Sequence, residues 1–453
     1  MITRLEAIRY RCFENLGIDL GNYHVIVGAN GSGKTTLLDI PALFGELLKA
    51  DNIATPFNHP RPDKPARTAN LKELIFAGRG DDFSLVLEAR LPENISNRLL
   101  DSRIGRAKLK RHADKLRTDA RYLPTHIRYE IRFELVNGKD LSIKNEYLFV
   151  FPECDMPDRT MGGLAGECNA ISEEWRFILH REYGGVTRLI PEVDPVQGTI
   201  KKEEAFSAQA NMLAMSTVKY QQDTYPAANW LYQLLTTGIV FLDPEWSKLH
   251  AASPPGQQNA LLPSAFNLPW LALDLKLSGI APDADEQTKA AYRSEDYQDW
   301  VGHVKTALPQ VADIDVRTRE DDFHAYFIIH YSGGYSVTTS GLSDGTLRIL
   351  ALTLTAYISN QPRLLITEEP ENGLHPSAIE AILQSLSSLY DSQVWISSHS
   401  PVVLASSELD QLLCARLSKA SGVKLVAGKD HPRMKDWRGG IDLGSLFAAG
   451  ILG

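Results

Sequence analysis

Cysteine is scarce: the 453 residues hold four, Cys12, Cys154, Cys168 and Cys414. None sits in a Cys-x-x-Cys pair, which excludes a zinc hook or knuckle. The spacing of Cys154 and Cys168 would allow a disulfide clip, but scattered thiols of this kind read as reduced structural residues. Long apolar runs are also missing. No segment reaches bilayer-spanning length, and the opening MITRLEAIRY lacks the marks of a signal peptide. A soluble cytoplasmic chain without membrane contact is therefore expected. Positive charge is not in excess. The 47 Lys and Arg stand against 56 Asp and Glu, a formal net charge of −9, so bulk charge favours neither nucleic acid nor acidic lipid. No heptad array is long enough for a coiled-coil arm. What is present is ordinary globular composition, 43% apolar and 23% charged, with length for two or three domains.

The most informative segment is GANGSGKTT at Gly28–Thr36, directly after the apolar run His24-Val25-Ile26-Val27. Strand, glycine-rich turn and helix in that order form a phosphate-cradling loop. Gly28, Gly31 and Gly33 let the backbone curl so that its N–H groups face a triphosphate. Lys34 supplies charge to the β and γ oxygens, and the Thr35 hydroxyl is a Mg²⁺ ligand. The helix starting near Lys34 adds its positive N-terminus.

A second set of residues lies far downstream. Leu364-Leu365-Ile366-Thr367 reads as a buried strand ending in Glu368-Glu369-Pro370. One carboxylate at such a tip holds Mg²⁺, and the next polarises an attacking water. Pro376 opens a helix whose Ile379, Ile382, Leu383 and Leu386 share one face. The strand Val394-Trp395-Ile396 follows and ends in Ser397-Ser398-His399, which places His399 at the ligand edge as a γ-phosphate contact. Upstream, Leu342-Ser343-Asp344-Gly345-Thr346 precedes an apolar helix that Ser343 is placed to cap.

Taken together these motifs resemble an ABC-class P-loop ATPase of the SMC/RecF/OLD-like branch, known also from standalone AAA-family ATPases of bacterial anti-phage systems such as PARIS and Septu. Gly28–Thr35 matches Walker A, Leu342–Thr346 the signature, Leu364–Glu369 Walker B, Asn372–His375 the D-loop and His399 the switch histidine. Ile8-Arg9-Tyr10-Arg11-Cys12-Phe13 resembles the opening strand of SMC-like heads. There Arg11 contacts phosphate, with a surface salt bridge as the alternative. The resemblance implies an α/β ABC-type head: a doubly wound, mostly parallel sheet plus an antiparallel side sheet, with a mainly helical insertion. It implies ATP and Mg²⁺ as cofactors. Arg11, Gly28, Asn30, Gly31, Ser32, Gly33, Lys34, Thr35, Thr36, Ser343 and Gly345 would bind the nucleotide. Thr35 and Glu368 would hold the metal, while Glu369, His399 and Lys34 would carry catalysis. It also implies homo-oligomers through head-to-tail ATP-sandwich dimers, in which Ser343 and Gly345 serve the partner's nucleotide. Two departures stand out. Glu368 replaces the usual Walker B Asp, which points to slow turnover. No Gln precedes Gln197, although the family's Q-loop Gln should follow the strand near Phe83–Leu91.

The motifs leave roughly 300 residues between Walker A and signature. Residues 51–70 form a proline-rich loop. Stretches 82–91 and 126–151 alternate apolar and polar residues and read as antiparallel strands. The division expected is 1–95 and 122–200 as the first part of the head, 96–121 as a basic helical insertion, 201–311 as a helical insertion domain, and 312–453 as the second part. Within 98–121 lie Arg98, Arg103, Arg106, Lys108, Lys110, Arg111, Lys115, Arg117 and Arg121. That segment is either a solvated hairpin or a contact for nucleic acid or an acidic protein. The 54 residues after His399 offer no acidic cluster for an appended nuclease. The function expected is an ATPase regulating a separately encoded effector in anti-phage defence. A RecF-like DNA-repair ATPase is the alternative, and the large insertion argues against a transporter motor.

Overall fold

The computed structural model describes residues 1–61, 64–106, 114–116, 118–158, 163–167, 172–194, 203–281, 283–418, 422–432 and 442–448. It has the expected α/β class. The chain divides into two compact units, one of Met1–Gly21, Asn30–Gly238 and Ala415–Val426, the other of Asn22–Ala29, Ile239–Cys414 and Ala427–Gly453. No described helix is long and apolar enough to cross a membrane.

The first unit is built on an antiparallel sheet. Ile2–Tyr10 pairs with Phe13–Asp19 on one side and Asp82–Arg90 on the other. The ladder continues through His126–Val136, Asp140–Phe151 and Arg176–Arg181. Alternation in such strands usually marks one dry and one wet face. Here both faces are covered. Glu88, Glu130 and Glu146 have no exposed surface, and Arg128 has 1%. A buried charge survives only when paired, and Arg128 bonds Glu88 at 2.6 Å and Glu6 at 2.9 Å. Glu130 also takes the N–H groups of Ala165 and Gly166, and Glu146 those of Ala214 and Met215. The carboxylates thus seat two short 3₁₀ segments, Ala165–Glu167 and Ala214–Tyr220. Helix Lys34–Lys49 packs on helix Pro226–Thr237 so closely that a Cβ on Gly45 would meet the Leu235 carbonyl oxygen at 2.1 Å. Only glycine permits that approach.

The second unit holds the parallel strands. Ile239–Leu242, Leu364–Glu368, Gln393–Ser397 and Tyr23–Gly28 lie side by side in that order. The first is a strand inside the 201–311 segment expected to be helical. It is a four-residue apolar run after Gly238 that extends the sheet by one edge. Helices Leu268–Lys276, Glu295–Ala307, Asp344–Leu354 and Pro376–Ser387 contribute to one apolar cluster. Trp300 is fully buried there and donates its indole N–H to Thr353 Oγ1 at 3.0 Å. Lys276 and Asp315 form a buried ion pair at 2.8 Å. A three-stranded antiparallel sheet, Val311–Thr318, Ala325–Tyr331 and Ser336–Thr338, leads toward Ser343.

Candidate functional site

In a parallel sheet the loops leaving the carboxyl ends of neighbouring strands share one edge. Three neighbouring strands end there with the residues singled out from the sequence. Tyr23–Gly28 opens the glycine-rich turn, Leu364–Glu368 ends in Glu368 with Glu369 next, and Gln393–Ser397 leads to His399. The register sets Glu368 opposite Ser397, and Ser397 opposite Ile26. His399 Nε2 lies 3.5 Å from Glu369 Oε1. Ser398 links the two tips, because its hydroxyl donates to Glu371 and accepts the Ser400 N–H.

Glu369 has a left-handed backbone, φ 44°. Such a conformation in a non-glycine residue costs of order 1–3 kcal/mol and persists only where its surroundings enforce it. Its N–H donates to the Ser397 carbonyl at 2.9 Å, and its own carbonyl accepts from Asn372 N–H at 2.9 Å and Arg348 Nη1 at 3.1 Å.

Ser343 caps helix Asp344–Leu354, its Oγ accepting the Thr346 N–H at 3.2 Å. The Ser343 side is exposed and Gly345 is half-buried. A Cβ on Gly345 would find nothing nearer than the Gly373 carbonyl oxygen at 3.4 Å. The packing of this chain therefore does not itself demand glycine there.

In the other unit, Gly33 caps helix Lys34–Lys49 in the left-handed region, φ 80° and ψ 11°, and no side chain caps that end. The first N–H groups of a helix need an acceptor, and a side-chain cap does not supply it here. The Ser32 hydroxyl is buried without a hydrogen-bond partner among the described residues. Lys34 is buried, Asn30, Gly31 and Thr35 are exposed, and Thr36 is half-buried. Arg11 belongs to the same unit with φ 52° and donates through Nη2 to the Arg67 carbonyl at 3.2 Å. Arg67 in turn is clamped by Asp39, one turn along the helix from Lys34, and by Glu46. Burial pushes the Asp39 carboxyl up, but the Arg67 hydrogen bond and the charges of Arg67, Arg61 and Arg11 outweigh it and hold it below its ordinary value.

The basic segment looks different once its partners are known. Arg103 pairs with Glu174, Arg106 with Asp194 at 2.8 Å, and Arg121 with Asp119 at 2.7 Å. Arg98 donates to the Asp223 carbonyl at 3.1 Å. Lys108, Lys110, Arg111 and Arg117 lie outside the described residues. Sequence reasoning missed Arg348 and Trp246, whose ring lies 4.3 Å below the Arg348 guanidinium carbon. No spacing signal links two residues so far apart in the chain. No group of three or more His, Cys, Asp or Glu gathers to hold a metal among the described residues.

Residues 259–405 match a family model described as "AAA domain, putative AbiEii toxin, Type IV TA system". That stretch contains Ser343, Glu368, Glu369 and His399 but not the loop at Gly28. No protein with a curated description matches the chain. Solved structures similar to it include an Smc head bound to the C-winged helix domain of ScpA, 14% identical with TM-score 0.47, covering 94% of this chain and 96% of that one. Another is a Pyrococcus furiosus Smc head with an extended coiled coil bound to the C-terminal domain of ScpA, 12% identical with TM-score 0.45, covering 94% and 95%. A third is the Thermotoga maritima SMC head domain, 10% identical with TM-score 0.39, covering 94% and 98%.

Proposed function

We propose that this chain binds ATP with Mg²⁺ and hydrolyses it slowly. Two copies close head to tail on the nucleotide and regulate a separately encoded effector in anti-phage defence. The observation that carries the reading is the edge where Gly28, the Glu368–Glu369 pair and His399 end three adjacent parallel strands. A phosphate loop beside a carboxylate pair and a histidine is what phosphoryl transfer to water requires. The match over residues 259–405 to an AAA-domain family supports it.

The residues present fit the cofactors. Helix Lys34–Lys49 has no side-chain cap, and Ser32 Oγ is buried without a partner among the described residues, so donors in the loop suit phosphate oxygens. Mg²⁺ usually takes one or two protein ligands and fills its octahedron with phosphate and water, so Thr35 and Glu368 suffice without a larger acidic cage. When bound, Mg²⁺ neutralises charge on the phosphate oxygens.

The chain's own groups then divide the work. Lys34 stabilises phosphate charge. Arg11, Gly28, Asn30, Gly31, Ser32, Gly33, Thr35 and Thr36 orient the triphosphate. Glu369 orients a water and accepts its proton, and His399, 3.5 Å from that carboxylate, contacts the γ-phosphate. Ser343 and Gly345 meet the nucleotide of a second copy. The open approach to Gly345, which intrachain packing does not fill, supports that role. Glu368 is one methylene longer than Asp, which supports slow turnover.

The test is Glu369→Gln beside Lys34→Ala. The amide keeps the shape but cannot take the proton, so ATP affinity should stay within a few-fold while turnover falls about 10²–10⁴-fold. The ATP-bound dimer should persist in light scattering. Lys34→Ala should lose ATP affinity itself. Near-parental hydrolysis by the glutamine variant would remove Glu369 from the proton-accepting role.

A further inference from the structure

We infer that Arg348 is a positioning residue for Glu369, tying the helix capped by Ser343 to the backbone of the water-orienting carboxylate in the same chain. The helix that presents Ser343 is thereby fixed to the Glu369 of its own chain. The inference rests on the ATP reading above and assigns a coupling that the reading does not contain.

Three observations converge. First, Glu369 sits in the left-handed region, where a glutamate does not stay unaided. Its N–H is tied to the Ser397 carbonyl of the neighbouring strand and its carbonyl to the Asn372 N–H three residues on, both backbone contacts. The third tie, from Arg348 Nη1 at 3.1 Å, is the one that comes from a separate helix. It bears on the peptide that sets where the carboxylate points, toward His399 Nε2 at 3.5 Å.

Second, the Arg348 guanidinium is held in place. It stacks over the Trp246 ring with its central carbon 4.3 Å from the centroid. A planar guanidinium can stack through one face and donate from its edge, and an ammonium cannot reproduce that geometry. Burial pushes its pKa down, and the carboxylates of Glu371, Asp344 and Glu369 oppose that shift. A cation kept half-buried at such a cost is not a solvated surface arginine.

Third, the Ser343 end of the same helix is clamped by the same neighbour. Asp344 Oδ1 accepts from His250 Nε2 at 2.8 Å, and His250 immediately follows the short helix Trp246–Leu249 that supplies Trp246. The cap at Ser343 and the donor at Arg348 therefore sit on one braced helix. Hydrogen bonds to carbonyls weaken steeply once stretched or bent. A displacement at Ser343 of a few tenths of an ångström is then transmitted to the Glu369 carbonyl.

Hybrid dimers test this. A Ser343→Arg chain mixed with a Lys34→Ala chain gives one working site, with Lys34 and Glu369 from the first and Ser343 from the second, and neither homodimer has a complete site. Arg348→Met in the Lys34-intact chain should reduce kcat about 10²-fold, the scale of a small misplacement of a catalytic group. KM should change little, and ATP affinity should hold. The same substitution in the Lys34→Ala chain should leave turnover within about threefold, because the Glu369 it positions is idle. Arg348→Lys should restore only part of kcat in the first placement. Equal loss in both placements would mean that Arg348 serves the fold or the Ser343 surface, and no loss in either would mean that it positions nothing. Both overturn the inference. If the Ser343→Arg and Lys34→Ala chains exchange subunits yet show no turnover, the two-chain site fails first, and this inference falls with it.

Discussion

Replacing Gly33 by alanine tests how the phosphate loop is held, because two costs of different origin meet at one Cβ. The first is conformational. Gly33 has φ 80° and ψ 11°, and an L-residue pays about 1–2 kcal/mol for the left-handed region. The second is steric. The new Cβ would stand 2.8 Å from Cys12 Sγ and 3.3 Å from Phe13 Cζ, inside the 3.5–4.0 Å at which nonbonded carbons attract. Cys12 has a single rotatable bond and also contacts Thr36 in the same helix. Phe13 has no exposed surface. Neither neighbour yields easily, so overpacking adds about 1–3 kcal/mol. The sum, roughly 2–5 kcal/mol, falls on the loop proposed to bind phosphate. It should appear as a loss of ATP affinity of about 30-fold to a few thousand-fold.

The two terms separate in a double-mutant cycle read by titration calorimetry with ATP. Cys12→Ala alone should bind ATP nearly as the parent does. Cys12→Ala with Gly33→Ala should recover the part of the steric share owed to Cys12 and keep the conformational one, leaving a loss of at least about 5- to 30-fold. A single Gly33→Ala variant binding within threefold of the parent would refute the strained cap. A double variant no better than the single one would refute the contact with Cys12.

Two further outcomes concern stability. Asp315→Leu strands the buried Lys276 ammonium, which among the described residues otherwise keeps only the Ala290 carbonyl; it should cost about 3–5 kcal/mol, and adding Lys276→Met should return much of that in thermal melts. Asp315 is held below its ordinary pKa despite burial, by hydrogen bonds from Lys276 and Arg317 and by the Lys276 and Arg293 charges, so its contribution is present above the ordinary carboxylate range and lost as pH falls below it. Glu192 works in the opposite sense. Burial raises its carboxyl from 4.5 to about 7, although the Ala228 and Ala227 N–H groups and the Arg176 and Arg98 charges pull it down. The folded state then holds a proton that the unfolded state releases, so stability falls as pH rises from about 4.5 through about 7, by at most ~3 kcal/mol. Glu192→Gln should flatten that slope relative to the parent between pH 5.5 and 8, and parallel melting profiles would contradict the assignment.

The parts of this molecule that the sequence announces are those whose chemistry fixes residue type and spacing together. Gly28–Thr36 follows its strand and opens its helix as read, because a phosphate cradle admits few alternatives. Glu368 and Glu369 end a strand because a buried apolar run followed by acids has to stop at an edge. Ser343 caps its helix because its oxygen is placed for the Thr346 N–H. The parts that stayed hidden depend on partners distant in sequence. The polar positions Glu88, Arg128 and Glu130 look like a solvated strand face, but Arg128 pairs with Glu88 and the N–H groups of Ala165 and Gly166 take up Glu130. Arg98, Arg103, Arg106 and Arg121 look like a free basic stripe, but Glu174, Asp194, Asp119 and the Asp223 carbonyl take up their donors. The same limit explains Arg348. Composition says only that an arginine lies on an apolar helix, while its meaning comes from the Trp246 ring under its guanidinium plane and the Glu369 carbonyl at its edge. Local pattern therefore reports which groups meet the ligand, and long-range pairing decides which groups hold them there. That is why the proposed nucleotide residues were readable one motif at a time, and why the residue inferred to couple them was not.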